Sequence, residues 1–265
     1  MWRTVCQSAI GSFHTETGLP CQDYGAYQTL GKGILIGAVA DGAGSAKHSD
    51  LGAKVAVETA IQFIIDLVEG VINEQKTENK AFAENGSEET LSAIFERFFP
   101  LLLTEVNKEL HAVTKKSKVE FPDLATTLLV FIATSKWLAA MQIGDGFILI
   151  KPVGEAYHLL FQPDKGEYIN ETTFVTSANA LAEMQMRVLA KPTEFICAAT
   201  DGVEKVAINY ANWQPFPPFF QPLEQYLQQS EDPLEEDLKE FLERKELSDR
   251  TTDDKTLLLA LWIEE

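Results

Sequence analysis

The chain has 265 residues, 45% of them hydrophobic and 23% charged, an ordinary globular composition with enough length for a substantial core. Its 40 acidic residues against 22 basic ones give a formal net charge of -18, which argues against unassisted binding to nucleic acid or an anionic membrane. No segment approaches the roughly 20 apolar residues of a membrane span, and the three cysteines, Cys6, Cys21 and Cys197, lack zinc-type spacing. Together with an N-terminus that carries Arg3, His14 and Glu16 instead of a signal-peptide core, this points to a cytoplasmic protein with free thiols.

In chain order, residues 4–12, 24–30 and 34–40 read as strands, followed by a glycine-rich turn and a helix over 49–71 whose Val55, Thr59, Ile61, Phe63, Ile64, Leu67 and Val68 recur at helical spacing. Polar residues 73–88 read as a surface loop. A second helix is predicted over 89–114, with Pro100 expected to kink or break it. Apolar runs at 126–133 and 137–143 form one predicted hairpin, and 147–151 with 157–161 another. Between residues 162 and 193 the pattern weakens to an irregular surface segment with a short helical turn at 178–186. A strand then leads to Asp201. Residues 209–222 place Trp213, Phe216, Phe219 and Phe220 among four prolines, which argues for a packed loop and against a regular helix. A charged helix over 233–246 precedes the final strand, 257–262.

Unbroken apolar strands flanked by amphipathic helices indicate sheets covered by helices, and strands that come in hairpins favour antiparallel pairing. The expected fold is α+β: two stacked, mainly antiparallel sheets with helices outside them, a four-layer αββα sandwich in one domain over 1–265.

Three short acidic motifs sit at the ends of buried strands: Asp41-Gly42-Ala43-Gly44, Asp201-Gly202 and Asp253-Asp254-Lys255-Thr256. A carboxylate at such a place is costly to desolvate unless something pairs with it. With no basic residue next to Asp41, Asp201 or Asp253 in sequence, a hard divalent cation with oxygen ligands is the natural partner.

The order of the motifs resembles the metal-dependent protein phosphatase family, the type 2C Ser/Thr phosphatases, in its compact bacterial branch. Gln22-Asp23 is similar to the family's early motif, Asp41-Gly42-Ala43-Gly44-Ser45 to its Asp-Gly loop, Ala125-Thr126-Thr127 to its Gly-x-Thr segment, Gly144-Asp145-Gly146 to its Gly-Asp-Ser-Arg motif, Thr200-Asp201-Gly202 to Ser-Asp-Gly, and Asp253-Asp254-Lys255-Thr256 to its terminal Asp-Asn-x-Thr. The resemblance implies two Mg²⁺ or Mn²⁺ ions bridged by Asp41, one helped by the Gly42 carbonyl and the other held by Asp201 and Asp253. Asp23 is then expected to orient water, Asp145 to match a weaker third metal position, and His14 to stand where relatives place a phosphate-binding arginine. Three departures bear on this: Ala43 replaces a histidine of eukaryotic members, Lys205 replaces an acidic partner of the third metal, so a third ion is not expected, and Asp254 replaces asparagine.

The implied activity is metal-dependent hydrolysis of phosphoserine and phosphothreonine on proteins, without a covalent intermediate, by a monomer whose partner is the phosphorylated substrate. A variable flap at about 163–192 is expected beside the site. The competing readings are a regulatory binding module of the same fold that has lost turnover, and a metal-free hydrolase using two aspartates as acid and base.

Overall fold

A computed structural model describes residues 1–31, 33–73, 86–161, 172–230 and 232–264. Two five-stranded sheets are antiparallel at every pairing. One has the order β2 (Asp23–Leu30), β3 (Ile34–Asp41), β4 (Leu128–Ala133), β5 (Leu138–Ile143) and β8 (Gln185–Leu189). The other runs β1 (Trp2–Ala9), β12 (Lys255–Trp262), β9 (Thr193–Ala199), β6 (Phe147–Pro152) and β7 (His158–Leu159). A two-residue pair, β10 (Ile208–Asn209) with β11 (Gln214–Pro215), lies apart from both.

The unbroken apolar strands are explained by burial on both faces. Leu35 and Val39 of β3, with Leu129 and Phe131 of β4, point between the sheets and pack with Ile148, Ile196, Leu258 and Ala260 of the other sheet. The alternate residues Ile36, Ala38 and Ala40 face outward, onto α2 (Ser49–Asn73) and α3 (Glu88–Ser117). On the other side Leu257, Leu259, Phe195 and Cys197 meet α6 (Pro217–Gln229), α7 (Glu235–Leu242) and α8 (Lys245–Ser248). A period-2 chain buried on both faces has no polar positions to alternate with. Helix, sheet, sheet and helix thus form the four layers expected. Short helices α1 (Ser12–Thr17), α4 (Ala180–Glu183) and α5 (Glu204–Ala207) lie in the connections.

Several expectations are corrected. Pro100 neither breaks nor ends α3, which runs through it from Glu88 to Ser117; Phe95, Phe98, Phe99, Leu102 and Leu103 on both sides of the proline are buried and packed, and this outweighs the lost backbone bond. Nor is the aromatic and proline-rich stretch only a loop: Pro217 and Pro218 occupy the first turn of α6, where proline's missing N–H costs nothing and its fixed φ suits a helix. The segment before residue 193 is less irregular than its composition indicates, because β8 pairs with β5 at the sheet edge. Residues 74–85 of the expected surface loop and 162–171 of the expected flap lie outside the described residues. Among the described residues no helix is long and apolar enough to cross a membrane, and all three cysteines are free.

Gly37 opposes Phe131 across β3 and β4. A Cβ there would lie 2.4 Å from the Phe131 ring and 2.9 Å from Leu258, so the ring occupies the space a side chain would take. We expect Gly37→Ala to destabilise the protein by about 1–3 kcal/mol, read as a lowered denaturation midpoint, with Gly37→Ala/Phe131→Leu recovering part of the loss. An unchanged midpoint in the single variant would show that the two sheets can separate locally at no cost.

Candidate metal centre

Antiparallel order brings the acidic motifs to one end of the sandwich. Asp23 begins β2 directly opposite Asp41, which ends β3. Phe147, at the start of β6, pairs with Ala199 at the end of β9, and Ala199 in turn pairs with Leu257 of β12. The β5–β6 turn with Asp145, the turn after β9 with Asp201 and the entry to β12 with Asp253 therefore share that end.

Asp41, Asp145 and Asp201 each offer a carboxylate oxygen, and these atoms all lie within 4.8 Å of one another. Backbone bonds fix Asp41 from both sides: its N–H donates to Thr127 Oγ1 (2.9 Å), and its carbonyl accepts from Thr127 N (2.8 Å) and Thr126 Oγ1 (2.9 Å). Gly42 N donates to the Gln22 carbonyl, and a Cβ at Gly42 would lie 2.7 Å from that oxygen and from Ser49. The glycine is needed for this close approach. At Gly202 the constraint is tighter still, since a Cβ would fall 1.8 Å from the Asp254 carbonyl oxygen. The Asp-Gly pairs thus lock neighbouring motifs onto one another.

Asp23 is buried, and its Oδ2 accepts from Thr200 Oγ1 (2.7 Å) and Thr256 Oγ1 (2.9 Å), joining the two sheets. Asp253 is exposed and lies outside the group of three, though its negative charge acts on Asp23, Asp41 and Asp201. Asp254 is buried and serves differently. Its Oδ1 accepts from Gly11 N (2.6 Å), and its Oδ2 from Gln22 N (2.5 Å), with His14 Nδ1 at 2.8 Å. His14, 4% exposed, is the partner of that carboxylate. The histidine where relatives have arginine and the aspartate where they have asparagine are thus two halves of one contact.

The local chemistry fits a cation. Burial, joined by the charges of Asp23, Asp201, Asp253 and Asp145, pushes the Asp41 carboxyl far above the usual carboxylate range. Burial likewise raises Asp23 to about 8 against the opposing hydroxyl bonds, and Asp201 to about 6 with help from Asp145 and Asp253, while a hydrogen bond with the Asp41 carboxyl and then the charge of Lys205 pull it down. Glu204, half-buried, is raised to about 7 by that burial and by the charges of Asp201 and Asp145, against a hydrogen bond from Tyr210. Asp201 Oδ1 is buried without a hydrogen-bond partner. A buried anionic oxygen with no donor, among like charges, is the donor set of a hard divalent ion. Thr172 Oγ1 donates to Asp145 (2.6 Å), which ties the described part of the expected flap to this cluster.

Sequence reasoning located Asp41, Asp145 and Asp201 but assigned no role to Thr126, Thr127, Thr200 or Thr256, whose signal was their place beside the aspartates inside the motifs. It also treated the His14 and Asp254 departures as separate. Glu204 gave no signal beyond its closeness to Asp201.

The site is thus a group of aspartates gathered at one end of an antiparallel αββα sandwich. A family model described as Protein phosphatase 2C matches residues 10–243, and the chain belongs to that family of protein phosphatases. It is 32% identical, over 99% of each chain, to Serine/threonine-protein phosphatase 3 of Escherichia coli (strain K12). Among solved structures it is similar to the serine/threonine phosphatase Stp1 from Staphylococcus aureus (TM-score 0.62, 12% identity, 100% of this chain and 96% of that one) and to the serine/threonine phosphatase of S. agalactiae (TM-score 0.59, 17% identity, 99% and 100%). Membership sets aside the metal-free two-carboxylate hydrolase.

Two measurements follow from this geometry. Because folded Asp23, Asp41 and Asp201 bind protons more tightly than their unfolded counterparts, the native state holds more protons once pH exceeds about 4, and stability falls as pH rises. With chelator, the melting temperature should therefore drop from pH 5 to pH 8.5, and saturating Mn²⁺ should abolish most of the drop; parallel curves would show that no cation engages these groups. Asp254→Asn replaces one acceptor with an amide donor facing Gly11 N or Gln22 N. We expect a loss of about 1–3 kcal/mol in chemical denaturation, whereas wild-type stability would remove Asp254 from its anchoring role.

Proposed function

We propose that this phosphatase hydrolyses phosphoserine and phosphothreonine on proteins using Mg²⁺ or Mn²⁺, two ions held by Asp41, Asp201 and Asp253 with help from the Gly42 carbonyl. The observation that carries the reading is the convergence of Asp41, Asp145 and Asp201, with one Asp201 oxygen, Oδ1, buried without a hydrogen-bond partner. When bound, such ions acidify water, orient it and neutralise phosphate charge. Asp145 is close enough to contribute a further oxygen; no third ion is invoked.

The chain's own residues hold this arrangement in place. Thr126 and Thr127 clamp the backbone of Asp41, and Thr200 and Thr256 fix the carboxylate of Asp23, which we assign to orienting the attacking water. Asp254 holds Gly11, Gln22 and His14 together, so the segment carrying His14 is set against the motif carrying Asp253. His14 acts in this reading as a positioning residue for the phosphate end of the site. In the reaction a water oxygen bonds to phosphorus, the bond from phosphorus to the serine or threonine oxygen breaks, and that oxygen takes a proton. No side-chain nucleophile takes part: Cys6 and Cys197 are buried with their thiols pushed far above the usual range, chiefly by burial, and Cys21 is raised for the same reason.

Residues 163–192 we assign to choosing among phosphoproteins, supported by the bonds from Thr172 to Asp145 and from Val175 N to the Thr126 carbonyl, which place the described part of that segment against the site. The binding-module reading has less support, because Asp41, Asp201 and Asp253 are all present.

Asp41→Asn and Asp253→Asn should each reduce Mn²⁺-stimulated hydrolysis of a phosphopeptide by at least about a hundredfold, by analogy with the loss of other charge-stabilising groups in catalysis, while the chelated proteins remain folded by circular dichroism. Rapid-quench experiments with labelled phosphopeptide should recover no phosphoryl-enzyme. Near-normal turnover in both variants, or a trapped phosphorylated residue, would overturn the assignment.

A further inference from the structure

A groove of about 990 Å³ lies between α5, α6 and the α7–α8 region, on the helical side of the sheet formed by β1, β12, β9, β6 and β7. Its wall is apolar, with Ile208, Phe216, Phe219 and Phe241, and Phe216 is 48% exposed. Around this wall stand Lys205, Arg244 and Arg250, with Glu246 the one acidic residue of the lining. In a chain with 40 acidic and 22 basic residues, the groove thus holds three of the 22 and one of the 40. Among the described residues, none of the three cations makes an ion pair within 4.0 Å. The Arg244 guanidinium lies over the Phe241 ring, 5.3 Å from its centre, so charge and apolar surface form one patch.

Two of the groove's cations lie close in sequence to the acidic motifs. Lys205 follows Asp201 by four residues. Arg250 precedes Asp253 by three residues.

We propose that this groove binds an acidic segment of the phosphoprotein substrate, carrying at least one large apolar side chain, at a distance in sequence from the phosphorylated residue. The inference rests on the phosphatase reading above and adds a second contact surface to it. Free cations beside exposed aromatic surface complement a carboxylate-rich peptide with an apolar anchor. Such a site is of use to this protein in particular, because an overall charge of -18 repels acidic phosphoproteins everywhere else. The patch supplies local attraction on an otherwise acidic protein.

The test uses the full chain with Mn²⁺ and two variants outside the metal centre, Phe216→Ser and Arg244→Glu. Phe216 precedes α6, where serine is a favourable cap, so the first variant should keep its fold. Three substrates are compared: p-nitrophenyl phosphate, a phosphoserine peptide with an acidic, leucine-bearing extension, and the same peptide with the extension neutralised. Each variant should retain wild-type hydrolysis of p-nitrophenyl phosphate and of the neutral peptide. For the acidic peptide kcat/KM should fall roughly tenfold, through KM, and the wild-type advantage for that peptide should shrink with salt. In a second arm, fluorescence anisotropy of the unphosphorylated acidic peptide should show binding to wild type that both variants weaken.

Equal loss on all three substrates would mean that the substitutions damage the metal centre, and would overturn the proposal. Unchanged kinetics together with no anisotropy response would overturn it as well. So would a dimer in sedimentation that Arg244→Glu dissociates without altering peptide hydrolysis, since the groove would then belong to a second copy. If the wild type hydrolyses no phosphate ester, the phosphatase reading fails by itself, and the anisotropy arm still decides whether the groove takes an acidic peptide.

Discussion

Mutual repulsion among Asp23, Asp41, Asp145, Asp201 and Asp253 is the constraint around which the rest of this molecule is arranged. Two stacked sheets would ordinarily end in loops free to move apart. Here the ends of β3 and β9 and the starts of β2 and β12 converge, with anionic groups taken partly out of water where charge is most expensive. Each group is met by a different device. Hydroxyls from Thr200 and Thr256 satisfy Asp23, and Asp254 collects two backbone N–H groups and His14. Asp201 Oδ1 is left with no hydrogen-bond partner, and this is the feature that suits the acidic cluster to a cation.

The double burial of the strands follows from the same requirement for a rigid frame. Leu35, Val39, Leu129 and Phe131 interlock with Ile196 and Leu258 between the sheets, while α2 and α3 on one side and α6 and α7 on the other cover the outer faces. A cluster of like charges tends to spread. The covered sheets and the glycine contacts at Gly42 and Gly202, where no side chain fits, oppose that spreading. In the proposed reading, recognition then falls to the segment around Thr172 and to the basic, aromatic groove lined by Lys205.

Much of this was legible from sequence because it is written in local pattern. Runs such as residues 34–40 and 257–262 admit few readings other than strands buried on two faces, and Asp-Gly pairs at their ends mark the site. The failures have physical causes. Proline was read as a breaker at residues 217 and 218, although a helix's first turn has no use for the missing N–H. At Pro100 the local penalty is outweighed by the aromatic packing on either side of it, a balance that spacing alone does not weigh. Edge strand β8 is partly exposed along its whole length and carries Arg187, so it lacks the apolar run of its neighbours. The His14–Asp254 pair joins residues 240 apart in the chain, and no spacing rule connects them.

Crystals grown with Mn²⁺ and measured for anomalous scattering address the central claim most directly. The account predicts an anomalous peak in contact with the carboxylates of Asp41 and Asp201, with the Asp201 oxygen that lacks a protein donor among its ligands. Saturating Mn²⁺ that leaves this end of the sandwich without a peak, or that binds only at carboxylates elsewhere on the acidic surface, would contradict it.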